Sequence, residues 1–107
     1  MNHNVKMSKM DRDSIINTIK QNKEKLFKLG INRIGLFGSY VRNQANEDSD
    51  IDILIDFDSN SKISLFELIE IEEMLESLFE CKIDLALMRK LKPHISKHIL
   101  NEVIYVQ

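Results

Sequence analysis

The sequence predicts an α/β domain: a small mixed β-sheet with helices packed on one face. Three observations lead there. Segments with helical spacing of apolar residues alternate along the chain with segments of strand spacing. From Asp50 to Phe57 the apolar Ile51, Ile53, Ile55 and Phe57 alternate with Asp50, Asp52, Leu54 and Asp56, so one strand face is uniformly apolar and the other carries acids. Ser64 to Phe79 reads as an amphipathic helix opened by a Ser64/Glu67 capping box, the kind of element that covers an apolar sheet face.

Residues Met1 to Lys9 are polar and without a period; residues 1–10 are expected to be a flexible N-terminus and 11–107 a single domain. In the first helix Ile15, Ile16, Ile19, Leu26 and Phe27 recur at helical spacing, with Asp11 as cap and Gly30 as a left-handed stop. Ile31 to Phe37 is a short apolar strand whose Gly35 suggests close approach by another part of the chain. Gly38-Ser39 breaks it, and Ser39 is placed to cap a short helix through about Ala45. Asn43 to Ser49 is rich in turn formers, so the chain reverses before the acid-bearing strand.

Asp58 to Ser61 reads as a turn. In the helix that follows, Leu65, Leu68, Ile69, Glu72, Leu75 and Phe79 trace an amphipathic surface, and Phe66, Met74, Leu75 and Phe79 are core or partner-facing residues, with core as the default. Lys82 to Met88 alternates again, with Ile83, Leu85 and Leu87 on one face and Asp84, Ala86 and Met88 on the other. Pro93 sits where a helix begins, His94 to Leu100 is a short final helix, and Val103 to Val106 is a closing strand. The acid-bearing face of the sheet is expected to stay open.

Composition narrows the function. The chain has 107 residues, 43% of them hydrophobic and 30% charged, which suits one ordinary globular domain. Its net charge of -2 gives no broad basic surface, so direct nucleic-acid binding is not expected. No apolar run is long enough to span a bilayer and the N-terminus lacks the apolar core of a signal peptide, so a cytoplasmic protein is expected and no membrane partner. Cys81 is the single cysteine, read as a small packed hydrophobe near a helix end.

The chemistry lies between Ile34 and Phe57 and on one later strand. Asp50 and Asp52, at i and i+2 on a strand, stand roughly 6.5 to 7 Å apart at the backbone and can share one divalent cation. If Asp84 lies on the neighbouring strand facing the same way, three carboxylates converge, a set suited to two Mg²⁺ ions about 4 Å apart. Gly38-Ser39 supplies backbone N–H groups and a hydroxyl for a polyphosphate, and Arg42, one helical turn on, adds a charge-assisted contact. A Gly-Ser pair alone is an ordinary turn, and an Asp-x-Asp alone is often only solvated. Their conjunction, with ten residues between Ser39 and Asp50 and a lone Asp84 on a later strand, is far more specific.

Gly38-Ser39 through Asp50-Ile51-Asp52 resembles the signature of the DNA polymerase beta-like nucleotidyltransferase superfamily, and the small size of the chain resembles its minimal (MntA-type) members, antitoxins of HEPN/MNT toxin–antitoxin systems. The resemblance covers roughly Ile31 to Val106, including Lys82-Ile83-Asp84-Leu85 and the tail from Lys92-Pro93 to Val103. It implies the polymerase beta-like fold. It also implies that Asp50, Asp52 and Asp84 hold Mg²⁺, with Asp84 helping to deprotonate the acceptor, and that Gly38 and Ser39 grip the triphosphate. The implied reaction moves AMP from ATP to a tyrosine of the HEPN-domain toxin, with which the chain would form a hetero-oligomer. Relatives usually carry Gly where this chain has Asn43, a residue that tolerates left-handed backbone better than most.

Other signals are weaker. Asp56 is about 20 Å along the strand from the first acid and reads as a strand-end acid. His94 and His98, four apart on a helix, lack a third ligand and read as polar surface. Two rival readings remain: a binding-only antitoxin with a vestigial site, and nucleotidyl transfer to a small molecule or RNA. The first is opposed by retention of all three acids, the second by the lack of an acceptor domain and of basic charge.

Overall fold

Asp11 accepts the Ser14 N–H at 2.9 Å while Ser14 Oγ accepts the Asp11 N–H at 3.0 Å, and this reciprocal cap opens α1 (Arg12–Gln21). The structure, a computed structural model, describes residues 10–58 and 62–107. Residues 1–9 of the expected flexible stretch 1–10 and the tip of the expected turn, Ser59 to Ser61, lie outside the described residues, whereas Met10 packs against the core.

The single first helix expected from the spacing is two. Asn22 interrupts it: its side-chain amide donates to the Thr18 carbonyl at 2.8 Å, and the chain restarts as α2 (Lys23–Lys28). An amide side chain that bonds the preceding turn competes with helix continuation. Gly30, at φ 99°, makes the left-handed turn that a side chain would resist.

The sheet has the order β3-β2-β1-β4. Strands β1 (Ile31–Phe37) and β2 (Ile51–Phe57) are antiparallel, with Phe37 opposite Asp52 and Gly35 opposite Leu54. Strand β3 (Ile83–Leu87) lies parallel to β2, which requires the crossover that α3 (Leu65–Phe79) provides. After a 3₁₀ turn (Met88–Lys90), α4 (Pro93–Glu102) has Pro93 in its first turn and leads to β4 (Ile104–Tyr105), antiparallel to β1.

The core forms on one sheet face, where Ile34, Leu36, Ile51, Ile53 and Ile55 meet Ile15 and Ile19 of α1, Leu26 of α2 and Ile71, Leu75 and Phe79 of α3. In helix α3, Leu75 and Phe79 are buried and Leu68 and Met74 pack against the core as read from the sequence, but Ile71 joins them while Leu65, Ile69 and Phe66 stay outside. Ile71 is 1% exposed, whereas Leu65 is 70% and Phe66 83% exposed. The helix carries a broader apolar band than its packed face uses, so period alone did not choose the line of contact.

The acid-bearing face is not open along its whole length. Leu54 is 1% exposed and stands outside the main core. Residues paired directly across strands share a face, so Gly35 faces the same way as Leu54. Val103 descends on Gly35 there: a Cβ built on Gly35 would stand 2.6 Å from Val103 Cγ2. Gly35 thus provides the seat for the end of α4.

Candidate active site

Parallel pairing of β2 and β3 sets Asp52 directly beside Asp84. The two carboxyls share a hydrogen bond, and Asp50, just before β2, adds its charge. Burial is the largest cause raising the Asp52 carboxyl to about 6; Asp84 and Asp50 raise it further, while the Ser39 N–H, which donates to it, pulls the other way. Asp52 is half-buried, Asp50 likewise, and Asp84 is exposed. The structure brings together the two carboxylates whose pairing the sequence left conditional.

Gly38 turns the chain beside these acids at φ 83°, and a Cβ there would stand 2.7 Å from Asp52 Cγ and nearer still to Oδ2. The short helix expected through Ala45 is one turn only. Arg42 N–H donates to the Gly38 carbonyl at 3.2 Å. Then Asn43, at φ 61°, ends the turn, with Asn43 N–H on the Tyr40 carbonyl and Gln44 N–H on the Ser39 carbonyl at 2.8 Å. That bond pair is a Schellman stop, and the left-handed tolerance of Asn43 allows it without glycine.

Sequence reasoning missed Glu102. Its Oε2 accepts the Gly38 N–H at 2.7 Å, and Arg42 Nη1 donates to Oε1 and Oε2 at 2.9 and 3.1 Å. Partial burial raises the Glu102 carboxyl, but the Gly38 N–H and the Arg42 guanidinium outweigh it and hold the group below its ordinary value. The Gly38 N–H, Ser39 N–H and Arg42, expected from sequence to face phosphate, are thus each engaged by a carboxylate of the chain. A signal for Glu102 did exist: an acid in the last turn of a helix opposes the helix dipole and calls for a partner.

Asp56 pairs instead with Arg33 at 3.7 Å, and Arg33 lies over the Tyr105 ring at 4.4 Å, away from the acids. His94 and His98 are exposed. Cys81 is partly buried against the core; burial first, then the charge of Asp50, push its thiol up. An open cavity of about 640 Å³ adjoins Asp50 and is lined in part by Tyr40, Ser49, Cys81 and Lys82, a volume in the range of small-molecule sites.

Among the described residues no three His, Cys, Asp or Glu side chains are arranged as a ready metal cage. The donor set nevertheless fits Mg²⁺, which binds through one or two carboxylates and completes its shell with water and substrate phosphate oxygens. Burial first, and then the charges of Asp84 and Asp50, keep Asp52 partly protonated near pH 6, and a divalent cation would offset both.

Paired strand carboxylates beside a glycine turn, on a sheet crossed over by one helix, make a site that can take a cation together with a phosphate ester. The profile of the nucleotidyltransferase domain matches residues 13–106, and the chain belongs to that family. It is 49% identical over 84 residues to the protein adenylyltransferase MntA of Thermococcus cleftensis, covering 78% of this chain and 83% of that protein. A solved structure of a proposed minimal nucleotidyltransferase is similar at a TM-score of 0.69 and 30% identity, covering 91% of this chain and 97% of that one. The fold is also similar, at a TM-score of 0.57 and 22% identity over 82% of this chain and 71% of the other, to a Shewanella oneidensis structure of a tri-AMPylated HEPN toxin in complex with MNT antitoxin. Among the described residues no helix is long and apolar enough to cross a membrane.

Proposed function

We propose that this nucleotidyltransferase is a Mg²⁺-dependent antitoxin that works in the cytoplasm, binds a HEPN-domain toxin and moves AMP from ATP onto a tyrosine hydroxyl of it. The observation that carries this reading is the pairing of Asp52 with Asp84 beside the Gly38-Ser39 turn. The likeness to an adenylyltransferase at 49% identity supports the transferred group, and the AMPylated toxin bound to an MNT antitoxin in a structure of the same fold supports the acceptor.

Asp50, Asp52 and Asp84 hold the cation, and Gly38 and Ser39 meet the triphosphate. When bound, Mg²⁺ supplies positive charge that neutralises the phosphates and favours the leaving pyrophosphate. The acceptor oxygen attacks the α-phosphorus, its bond to the β-bridging oxygen breaks, and pyrophosphate leaves with that electron pair. Asp84, exposed at the edge strand, takes the acceptor proton. Gly38 lets Asp52 come against the turn, so the carboxylates and the turn proposed to meet phosphate stand together.

The test is transfer from each labelled nucleoside triphosphate, with and without Mg²⁺, into a lysate of the native host, beside Asp52→Asn. One labelled protein band, dependent on ATP, Mg²⁺ and Asp52, is the expected result, with mass spectrometry giving AMP on tyrosine of a HEPN toxin. Label in RNA or a small molecule overturns the acceptor. Neutralisation of the toxin by Asp52→Asn, without transfer, overturns the catalytic account.

A further inference from the structure

We propose that Glu102 is a positioning residue for the phosphate-facing turn, and that Arg42 serves that turn through Glu102 instead of touching nucleotide itself. The inference rests on the nucleotidyltransferase reading of the site and adds residues to it. Two carboxylates meet the start of the turn from different parts of the chain: Asp52 packs against Gly38, and Glu102 accepts the Gly38 N–H at 2.7 Å. Arg42 is committed on two edges. Its Nη1 reaches both Glu102 oxygens at 2.9 and 3.1 Å, and its Nε donates to Gln44 Oε1 at 3.0 Å.

Glu102 has reason to be where it is only because of these partners. It sits at the C-terminal end of α4, where the carbonyl ends of the helix repel negative charge. The Arg42 guanidinium and the Gly38 N–H offset that repulsion. The next residue, Val103, is seated on the bare backbone of Gly35, which fixes how far the end of α4 descends. The Glu102 side chain is only 16% exposed, and its bond from the Gly38 N–H is partly shielded from solvent.

The consequence is an internal anion that shapes the turn before nucleotide arrives. Gly38 is in contact with Asp52, so a shift of the Gly38 backbone is passed directly to a cation-binding carboxylate. A misplacement of about 1 Å at a reacting group costs on the order of 100-fold in rate. Glu102 and Arg42 therefore act as one unit, with one function to lose.

The experiment is a double-mutant cycle on the full chain, read by calorimetric titration with a non-hydrolysable ATP analogue and Mg²⁺. The variants are Glu102→Gln, Arg42→Gln and the pair. Each single substitution is expected to weaken binding about tenfold, the loss of one charge-assisted contact, and the pair no more than the worse single. Stoichiometry stays near one. Losses that multiply overturn the proposal, because Arg42 then meets nucleotide independently. An unchanged Kd with reduced stoichiometry overturns it too, since a merely structural role lowers the fraction of folded sites and leaves affinity alone.

Arg42→Lys, at an exposed position, keeps the cycle interpretable if Glu102→Gln folds poorly; it is expected to recover part of the affinity that Arg42→Gln loses. The Gly38 amide resonance, recorded without nucleotide, is expected to move upfield in Glu102→Gln; an unmoved resonance overturns the clamp. Failure of the wild type to bind the analogue sinks the adenylyl-transfer reading, and the Gly38 resonance still decides the clamp.

Discussion

Gly38 and Asp52 are packed so closely that no side chain fits between them. A Cβ on Gly38 would stand 2.7 Å from Asp52 Cγ and 3.0 Å from its Cβ, and the backbone there has φ 83°. Gly38→Ala therefore suffers both a left-handed backbone and a collision. It is expected to lower Tm by roughly 5–10 °C and transfer by at least about 100-fold. Thermal melts beside an ATP-transfer assay check this, and a wild-type rate in a normally folded variant would refute it.

Asp52 ties stability to pH in Mg²⁺-free protein. Its carboxyl is raised from 3.8 to about 6, so between those values the folded state holds a proton that the unfolded state has released. Stability from this group consequently falls as pH rises through that window and stays reduced above it. Asp52→Asn removes the penalty: the variant is expected to melt a few degrees above the wild type at pH 7.5, about 1 kcal/mol after allowing for solvent screening. The gap should close near pH 4, and an equal gap at both pH values would disprove the assignment. Added Mg²⁺ should shrink it at pH 7.5 by stabilising the wild type alone.

Gly35 is needed for a different reason, the approach of Val103 to within 2.6 Å of where its Cβ would lie. Gly35→Ala is expected to destabilise by about 1–3 kcal/mol through overpacking. Adding Val103→Ala should recover part of that loss in urea titrations. No recovery would mean that the seat is not where the strain arises.

Helix α3 offers a comparison of two apolar residues. Ile71→Ala, at a 1% exposed position, is expected to cost about 2–5 kcal/mol, and Leu65→Ala, at 70% exposure, no more than about 0.5 kcal/mol. Denaturant unfolding of both variants distinguishes the packed stripe from the apolar band read off the sequence, and similar costs would show that Leu65 is packed after all.

Local signals were legible and distant pairings were not. The alternation from Asp50 to Phe57, the Ser64/Glu67 box and Pro93 in the first turn of α4 each depend on near neighbours, and each appears in the structure. The adjacency of Asp52 and Asp84 depends on parallel register across α3, which no spacing fixes. Glu102 depends on a contact spanning 64 residues, and only its unfavourable place at a helix end hinted at it. The helix expected after Ser39 is cut short for a local reason that the sequence does contain: Asn43 tolerates left-handed backbone, and that conformation stops the helix after one turn.

The seat of α4 on the sheet bears on the order in which the protein comes apart. Ile99 is the buried residue of α4, while Ile95 and Leu100 are 41% and 46% exposed, so this helix is held more thinly than α1 or α3. Segments with few buried contacts open first, in excursions that leave the main core folded. Each opening of α4 releases Glu102 from Gly38 and Arg42. The capacity to grip nucleotide is then lost and regained on the timescale of local fraying, well before the global melt, and its warming curve should fall at lower temperature than the unfolding of the isoleucine core.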